Sequence, residues 1–244
     1  ALSSPTIHQF AVDCTPGDGI TNGMLLTRKL LRLAGVRSDI YCAGIADSLR
    51  GDVLPMLDYV PGSADALFVH HGISNSHENW LRQLPDAKFM VFHNITPGEL
   101  FPADHPIQPM LAHGWEQVDS WRAWLKGSIA DSRQNLDELL QRGYDPLHTA
   151  EIPLLVDLER LAPGAVKPHD GPRPFTLLFV GRVMPHKNQL ALVDTFAALL
   201  RQVRVPLRLY IVGGFTVPEY AQQIQSRIDA VSYTHLTLPT NREV

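Results

Sequence analysis

The sequence contains few cysteines, no long apolar run and no strong excess of charge of either sign. Its 244 residues include two cysteines, Cys14 and Cys42, and their spacing matches no zinc-binding motif. No apolar run approaches the roughly 20 residues that a membrane-spanning helix needs, and no signal peptide or internal repeat is visible. The net charge of −4 gives no reason to expect nucleic-acid binding. These absences favour an ordinary globular protein with a hydrophobic core.

The two cysteines lie at the ends of predicted strands, and the sequence leaves their redox state open. A reduced pair in a cytoplasmic protein is the simpler interpretation, because disulfides are rare in that compartment. A disulfide between Cys14 and Cys42 is the alternative. We therefore expect a cytoplasmic protein and leave the pairing of the two thiols undecided.

One stretch of the chain combines a buried strand, two fixed cations and the start of a helix. The apolar run over 175–180 predicts a strand that ends at Gly181, and Arg182 and Lys187 follow it. Apolar residues then recur at helical spacing from Leu190. Ligands of open α/β sheets bind where strands end and helices begin, and helix amino termini attract anions. The stretch therefore predicts a phosphate or diphosphate site, with solvated loop charges as the alternative.

This stretch, G-R-x-x-x-x-K-N before a helix, resembles the start of the nucleotide-sugar domain of group 1 (family 4) glycosyltransferases of the GT-B fold. The resemblance covers about residues 6–230. It implies that Arg182 and Lys187 contact the diphosphate of the sugar donor. The next predicted strand, over 207–212, ends in Gly213-Gly214, as the corresponding strand of the family usually does.

A second glycine-bearing loop, P-G-D-G-I-T-N-G over 16–23, follows the first predicted strand and precedes a helix. It could be a tight turn without a ligand, a dinucleotide fingerprint, or the first loop of the family. The dinucleotide interpretation fits poorly because the spacing is G-x-G-x-x-x-G and the next strand ends without an acid. The resemblance implies that Gly19 brings a backbone N–H near the donor phosphates. Asp18, where many relatives have glycine, and Asn22 are candidate substrate-binding residues.

Four histidines lie near predicted strand ends, and they are His70, His71, His77 and His93. None forms an i, i+4 helical pair, so we predict no metal site and favour local hydrogen bonds. His93 and Asn94 follow a predicted strand over 88–92 in the run V-F-H-N-I-T-P-G-E-L-F, which resembles a segment of the same family. The resemblance implies that His93 lies near the donor sugar and the acceptor. His93 is thus the catalytic-site candidate, and Asn94 is a candidate substrate-binding residue.

The order of predicted elements indicates an α/β protein of the GT-B type, with two Rossmann-like domains of which the second is incomplete. We place the amino-terminal, acceptor-binding domain at 1–160, a linker rich in proline at 161–174, and a partial nucleotide-sugar-binding domain at 175–230. The last residues, 231–244, fit no element of this fold and resemble translated sequencing-adapter read-through, so we expect a non-native tail. The E-x7-E segment that the family has in its second domain is absent from residues 175–230.

Three local predictions depend on the residue pattern alone. A helix is expected over 48–59 and another over 111–125, the latter with three of the four tryptophans. Ser132 is expected to cap a helix that runs to Gln141, because serine after a strand satisfies free helix N–H groups.

The resemblance implies a retaining glycosyltransferase that needs neither a cofactor nor a divalent metal. It would move a sugar from a nucleoside-diphosphate sugar to a glycan, a lipid-linked acceptor or a small molecule. Peripheral association with the inner face of the cell membrane is an open alternative for its location. A nucleotide-sugar epimerase of similar shape and a non-catalytic, nucleotide-sugar-binding or inactive fragment are the competing functions. Because the E-x7-E acids are missing, the chain by itself is expected to be inactive.

Overall fold

A computed structural model of the protein describes residues 4–159, 174–215, 217–231 and 236–237. These residues divide into two units. The first unit contains the described residues up to 159 except 100–102, and the second contains 100–102 and the described residues from 174 onward. The predicted linker over 161–174 lies outside the described residues, apart from Pro174.

The first unit is built on a seven-stranded parallel sheet with the order β3-β2-β1-β4-β5-β6-β7. Its strands are β1 (Ile7–Cys14), β2 (Ile40–Ile45), β3 (Leu54–Pro55), β4 (Ala66–His71), β5 (Lys88–Phe92), β6 (Gly127–Ala130) and β7 (Thr149–Glu151). The strand order reverses between β1 and β4. In open α/β sheets, the crevice at the carboxyl ends of such a pair is where ligands bind.

Four helices connect these strands, and they are α1 (Gly19–Leu33), α2 (Glu78–Gln83), α3 (Gln108–Trp121) and α4 (Arg133–Gln141). Ser132 caps α4, since its side chain accepts a hydrogen bond from the N–H of Asn135 at 3.2 Å. This confirms the role predicted for Ser132. The predicted helix over 111–125 is confirmed in kind, although α3 begins three residues earlier, with Pro109 in its first turn.

The core of the first unit consists of strand residues that are buried because the sheet lies inside the unit. Phe10, Val69, Met90 and Phe92 have no exposed surface. Parallel strands covered on both faces are expected to be continuously apolar rather than alternating. This explains why β4 and β5 are runs of apolar residues whose polar members lie mainly at their ends.

The predicted helix over 48–59 is wrong. The chain instead forms two single turns of 3-10 helix, Asp47–Leu49 and Met56–Asp58, on either side of β3. Pro55 lies in the interior of the predicted helix, where it lacks an N–H donor and its ring clashes with the preceding turn. The residues therefore extend for two positions and pair with β2 at the edge of the sheet. The short strand β7 was not predicted.

The structure joins Cys14 and Cys42 by a disulfide, so the reduced pair is the wrong alternative here. The two residues belong to the adjacent strands β1 and β2, and their Cα atoms are 6.4 Å apart. That separation lies within the usual range for disulfides. Both side chains are buried.

The second unit contains a three-stranded parallel sheet with the order β10-β9-β8 and two helices. Its elements are β8 (Phe175–Val180), α5 (Gln189–Gln202), β9 (Leu207–Val212), α6 (Pro218–Val231) and β10 (Leu236–Thr237). The prediction that residues 231–244 join no element is wrong for Val231, which ends α6, and for the two residues of β10, which pair with β9. In the part of the chain that the structure describes, no helix has the length and apolar character needed to cross a bilayer.

Candidate functional site

The carboxyl ends of β4 and β5 lie beside the start of α1 in the first unit. Gly72, directly after β4, marks this approach because a Cβ atom there would lie 3.5 Å from the Cβ of His93 and from the carbonyl oxygen of Asn94. The same Cβ would lie 3.6 Å from Cδ1 of Ile20 in the first turn of α1. The structure therefore brings the His93-Asn94 loop and the glycine loop before α1 to the same edge of the sheet.

The amino terminus of α1 is capped by Asp18. Its carboxylate accepts hydrogen bonds from the backbone N–H of Thr21 at 3.1 Å and from the Thr21 hydroxyl at 3.4 Å. The Thr21 hydroxyl in turn accepts from the N–H of Thr15. Asp18 therefore has a structural role that needs no ligand, and it places a negative charge where a phosphate would also bind. Gly19 is the first residue of the helix, so its N–H is one of those without an intrahelical partner.

A cavity of about 590 Å³ lies along α1 in the first unit. Gly19, Asn22 and Lys29 line it on one side and Leu154 to Asp157 on the other. Asn22 is exposed there. Leu154 packs directly on α1, because a Cβ atom at Gly23 would approach its side chain to 2.5 Å. The segment after β7 can therefore pack this closely against α1 only because Gly23 has no side chain.

Both ring nitrogens of His93 are engaged by protein groups. Its Nδ1 is 3.2 Å from an Asp131 carboxylate oxygen, and its Nε2 is 2.7 Å from Nδ1 of His70. Only 3% of the His93 side chain is exposed. Asn94, the next residue, is exposed and has a left-handed backbone with φ of 67°. Asparagine tolerates that conformation better than most residues, and the turn directs the chain away from β5.

His71 ends β4 and packs against α3. Its Nε2 is 3.1 Å from the carbonyl oxygen of Gly114, and its ring lies 4.6 Å from that of Trp121. Burial lowers the pKa of His71 to about 4. The imidazole is therefore neutral near pH 7, with Nε2 as the donor to Gly114.

In the second unit, the backbone at Gly213 crosses close to the backbone at the end of β8. A Cβ atom at Gly213 would overlap the carbonyl oxygen of Gly181 and lie 3.2 Å from the N–H nitrogen of Arg182. The N–H of Gly181 also donates to the carbonyl of Val212 at 2.9 Å. The first glycine of the predicted Gly-Gly pair, Gly213, is thus required for the close packing beside Arg182.

Arg182 and Lys187 lie on either side of the turn that leads into α5. Both side chains are exposed, and among the described residues neither has an acidic partner within 4 Å. Partial burial lowers the pKa of His186, and the charges of Lys187 and Arg182 lower that pKa further. The positive charges of Arg182 and Lys187 therefore both influence His186, which precedes the start of α5. The buried Gln189 fixes the turn by donating to the carbonyl of Arg182 at 2.9 Å.

Among the described residues, no group of three or more His, Cys, Asp or Glu side chains has an arrangement that could hold a metal ion. His70 and His93 instead lie edge to edge in nearly the same plane, with ring centroids 5.0 Å apart and an angle of 6° between the rings. The rings of His70, His71 and His93 do make hydrogen bonds, but their partners lie 23 to 61 positions away along the sequence, so the expectation of local hydrogen bonds is wrong for these three residues.

The structure brings together Gly19, His93 and Asn94 in the first unit, and Arg182 and Lys187 in the second. Sequence reasoning considered His70 only as a possible metal ligand or a locally hydrogen-bonded side chain, and it missed the polar side chains of Gln9 and Asp131. A signal for Gln9 was present, because it is a polar residue in the interior of strand β1. A polar side chain inside a buried strand needs a partner.

No family model matches the chain. Two curated proteins are similar to the chain in sequence, and both are named D-inositol 3-phosphate glycosyltransferase. The protein of Geodermatophilus obscurus is 26% identical over 222 residues, which cover 83% of this chain and 48% of the relative. The protein of Frankia alni is 29% identical over 188 residues, which cover 71% of this chain and 44% of the relative. The chain spans about half the length of the curated relatives it matches.

Among solved structures, HepE of Anabaena in complex with UDP and glucose matches with a TM-score of 0.67 and 14% identity. The match covers 98% of this chain and 70% of that one. The topology and this match define an α/β protein of the GT-B fold, as predicted. In sequence, the chain is similar to group 1 (family 4) glycosyltransferases, and the predicted resemblance is confirmed.

Proposed function

We propose that this chain contributes the acceptor-side domain and the donor-diphosphate site of a retaining glycosyltransferase. The enzyme would move a sugar from a nucleoside-diphosphate sugar to a glycan, a lipid-linked acceptor or a small molecule. One observation carries the proposal: Arg182 and Lys187 lie at the amino terminus of α5 without an acidic partner among the described residues. Two unpaired cations at a helix amino terminus form a site for a multiply charged anion.

The chemistry explains why such a site assists transfer. When the bond from the sugar to the diphosphate breaks, the sugar becomes oxocarbenium-like and the leaving diphosphate gains negative charge. Arg182 and Lys187 stabilise that charge, and the free N–H groups at the start of the helix stabilise it further. On this proposal the fixed cations take the place of a divalent metal ion.

The residues of the first unit have narrower roles in this proposal. The N–H of Gly19 approaches the donor phosphates at the start of α1, and His93 lies on the side of the reacting sugar. Because both His93 nitrogens are already engaged, we propose that His93 acts through its position and shape. Asn22 and Asn94 are both exposed, so they are available to bind the acceptor or the sugar.

The names of the relatives support transfer over the competing functions. Both curated relatives are named glycosyltransferases, and HepE binds UDP and glucose. UDP is therefore the first nucleotide to test, and D-inositol 3-phosphate is the first acceptor to test. A cytoplasmic location and contact with the inner face of the membrane remain predictions.

The site is tested by measuring UDP binding to the chain by calorimetry. Arg182→Ala and Lys187→Ala should each weaken binding by about 1.5–3 kcal/mol, the scale of a charge-assisted hydrogen bond. Arg201→Ala is the matched control, because it removes one exposed cation from the last turn of the same helix. Equal affinity in the native chain and in both site variants would refute the site.

Transfer is distinguished from binding alone by the products. UDP-glucose should release UDP only when the acceptor is present if the protein is a transferase. Binding of UDP without acceptor-dependent release favours the non-catalytic binding module, and conversion of the sugar without an acceptor favours the epimerase. Because the chain spans about half the length of its relatives, the release assay uses the longest reading frame that contains this sequence.

A further inference from the structure

Four side chains, of which Asp131 is only partly buried, form one continuous hydrogen-bonded chain across the first sheet. Gln9 belongs to β1, His70 to β4, His93 follows β5 and Asp131 follows β6. His70 joins the other members, because its Nε2 lies 3.1 Å from Oε1 of Gln9 and its Nδ1 lies 2.7 Å from Nε2 of His93. His93 Nδ1 then reaches Asp131 at 3.2 Å. We call these four residues the His–His chain.

The Gln9 end of the chain can only accept a hydrogen bond. The Gln9 amide nitrogen donates to the carbonyl oxygen of Met24 at 3.0 Å, which leaves Oε1 facing His70. Rotating the amide by half a turn would place two carbonyl oxygens against each other, at a site where Gln9 has no exposed surface. A buried contact of that kind leaves both acceptors without a donor, which is costly.

The Asp131 end also accepts. One carboxylate oxygen faces His93, and the other accepts a hydrogen bond from the side-chain amide of Asn135 in α4. An ionised carboxylate has only acceptor sites. The His–His chain therefore runs between two acceptors, with two imidazoles between them.

The number of hydrogen bonds fixes the number of protons. Three hydrogen bonds link the four side chains, and each needs one proton between its two heavy atoms. A neutral imidazole carries one N–H, so two neutral histidines supply two protons. The third hydrogen bond requires one further proton within the His–His chain, whichever tautomers the two rings adopt.

We propose that the His–His chain holds this further proton at neutral pH, that the proton makes His93 a buried imidazolium paired with Asp131, and that His70 is the positioning residue that keeps it there. Imidazole is more basic than a carboxylate, so the proton rests on a ring and not on Asp131. Burial, followed by the influence of His93, holds the pKa of His70 well below its usual value. His70 is therefore the neutral ring, with its proton on Nε2 toward Gln9.

The described residues place one further histidine near this proton. His71, the next residue of β4, also interacts with His93, but its own pKa is lowered to about 4 and it is neutral near pH 7. Among the described residues, the other side-chain hydrogen bonds of these four residues are to the carbonyl of Met24 and the amide of Asn135, which do not titrate. The imidazolium and the Asp131 carboxylate thus balance each other inside the first unit.

The proton count does not depend on the proposed function, but its consequence does. With the further proton, the His–His chain is neutral as a whole. Without it, the carboxylate of Asp131 leaves one negative charge at the edge of the sheet where the donor is proposed to bind. Loss of the proton should therefore weaken the binding of an anionic ligand such as UDP.

Nitrogen NMR of the chain labelled with ¹⁵N-histidine counts the protonated ring nitrogens directly. At pH 7 and without ligand, we expect three of the four ring nitrogens of His70 and His93 to carry protons, with both nitrogens of His93 among them. His71 serves as the internal reference with one protonated nitrogen. Two protonated nitrogens in His70 and His93 at pH 7 would overturn the proposal. This count needs no variant and no activity.

A variant then tests the cause. Gln9→Met removes the acceptor next to His70, so two hydrogen bonds remain and the count should fall to two at pH 7. Gln134→Met, at an exposed glutamine of α4, should leave it at three. A count of three in a folded Gln9→Met variant would also contradict the proposal. Failure of UDP to bind any form would refute the proposed function and leave the proton count standing.

Discussion

At the scale of single residues, the tightest packing requirement lies at Gly213. The end of β9 can approach Gly181 only because position 213 has no side chain. The neighbouring Gly214 has no atom within 4 Å of the place where a Cβ would lie. Two adjacent glycines, which look equivalent in the sequence, thus have very different packing.

We expect Gly213→Ala to destabilise the second unit by about 1–3 kcal/mol, the usual cost of forcing an extra carbon into a packed site. Gly214→Ala should change its stability by less than about 0.5 kcal/mol, as is common for open surface positions. The measurement is hydrogen exchange at the Gly181 N–H, which is bonded to Val212 across the strand pair. Equal exchange rates in the two variants would show that the crossing is not tightly packed.

At the scale of elements, the contact between β4 and α3 depends on a histidine that is neutral when folded. Burial lowers the pKa of His71 from 6.5 to about 4. The unfolded chain therefore takes up a proton below about pH 6.5, whereas the folded chain takes it up only near pH 4. Stability is complete above the unfolded pKa and decreases as the pH falls through this window.

For His71→Gln, we expect the loss of stability between pH 7 and pH 5 to shrink by about 2 kcal/mol, since a tenfold change in proton affinity is worth about 1.4 kcal/mol. Glutamine keeps a donor for the Gly114 carbonyl but does not titrate. Urea unfolding followed by tryptophan fluorescence reports on this unit, because all four tryptophans belong to it. His113→Gln, at an exposed histidine of α3, is the control and should leave the pH dependence as it is. An unchanged pH dependence in His71→Gln would contradict the neutral buried ring.

The sequence predicted most strands and helices because their patterns are local. The apolar runs of β4, β5, β8 and β9 and the cap at Ser132 depend on neighbouring residues, and the structure has them. The edge strands β3 and β7 are only two and three residues long, too short for a pattern to be visible. They form because a neighbouring strand offers hydrogen bonds, which no local rule contains.

The candidate site divides in the same way. Arg182, Lys187 and Gly19 lie where a strand leads into a helix, and this order along the chain indicated an anion site. The partners of His93 come from residues 23 and 38 positions away, so the spacing of the motif could not reveal them. Asp18 was a candidate ligand residue, and the structure shows it as a helix cap, a role that the same residue type fills in many loops.

At the scale of the whole molecule, the two sheets differ in how their faces are covered. In the first unit, the central strands are buried on both faces. In the second, α5 and α6 cover one face, where Leu209 and Ile211 pack with Val193. Residues of the other face remain exposed, with Leu178 at 64% and Val180 at 71%. An exposed apolar face of this kind favours self-association.

We therefore expect the chain to associate at micromolar concentration through the second unit. Leu178→Lys combined with Val180→Lys should raise the fraction of monomer in analytical ultracentrifugation, because two charges on the exposed face oppose the pairing of such faces. Leu209→Lys is the matched control on the covered face, where only 2% of the side chain is exposed. It buries an unpaired charge and should instead unfold the unit and increase association. A native chain that stays monomeric and melts cooperatively would show that the exposed face of β8 does not drive association.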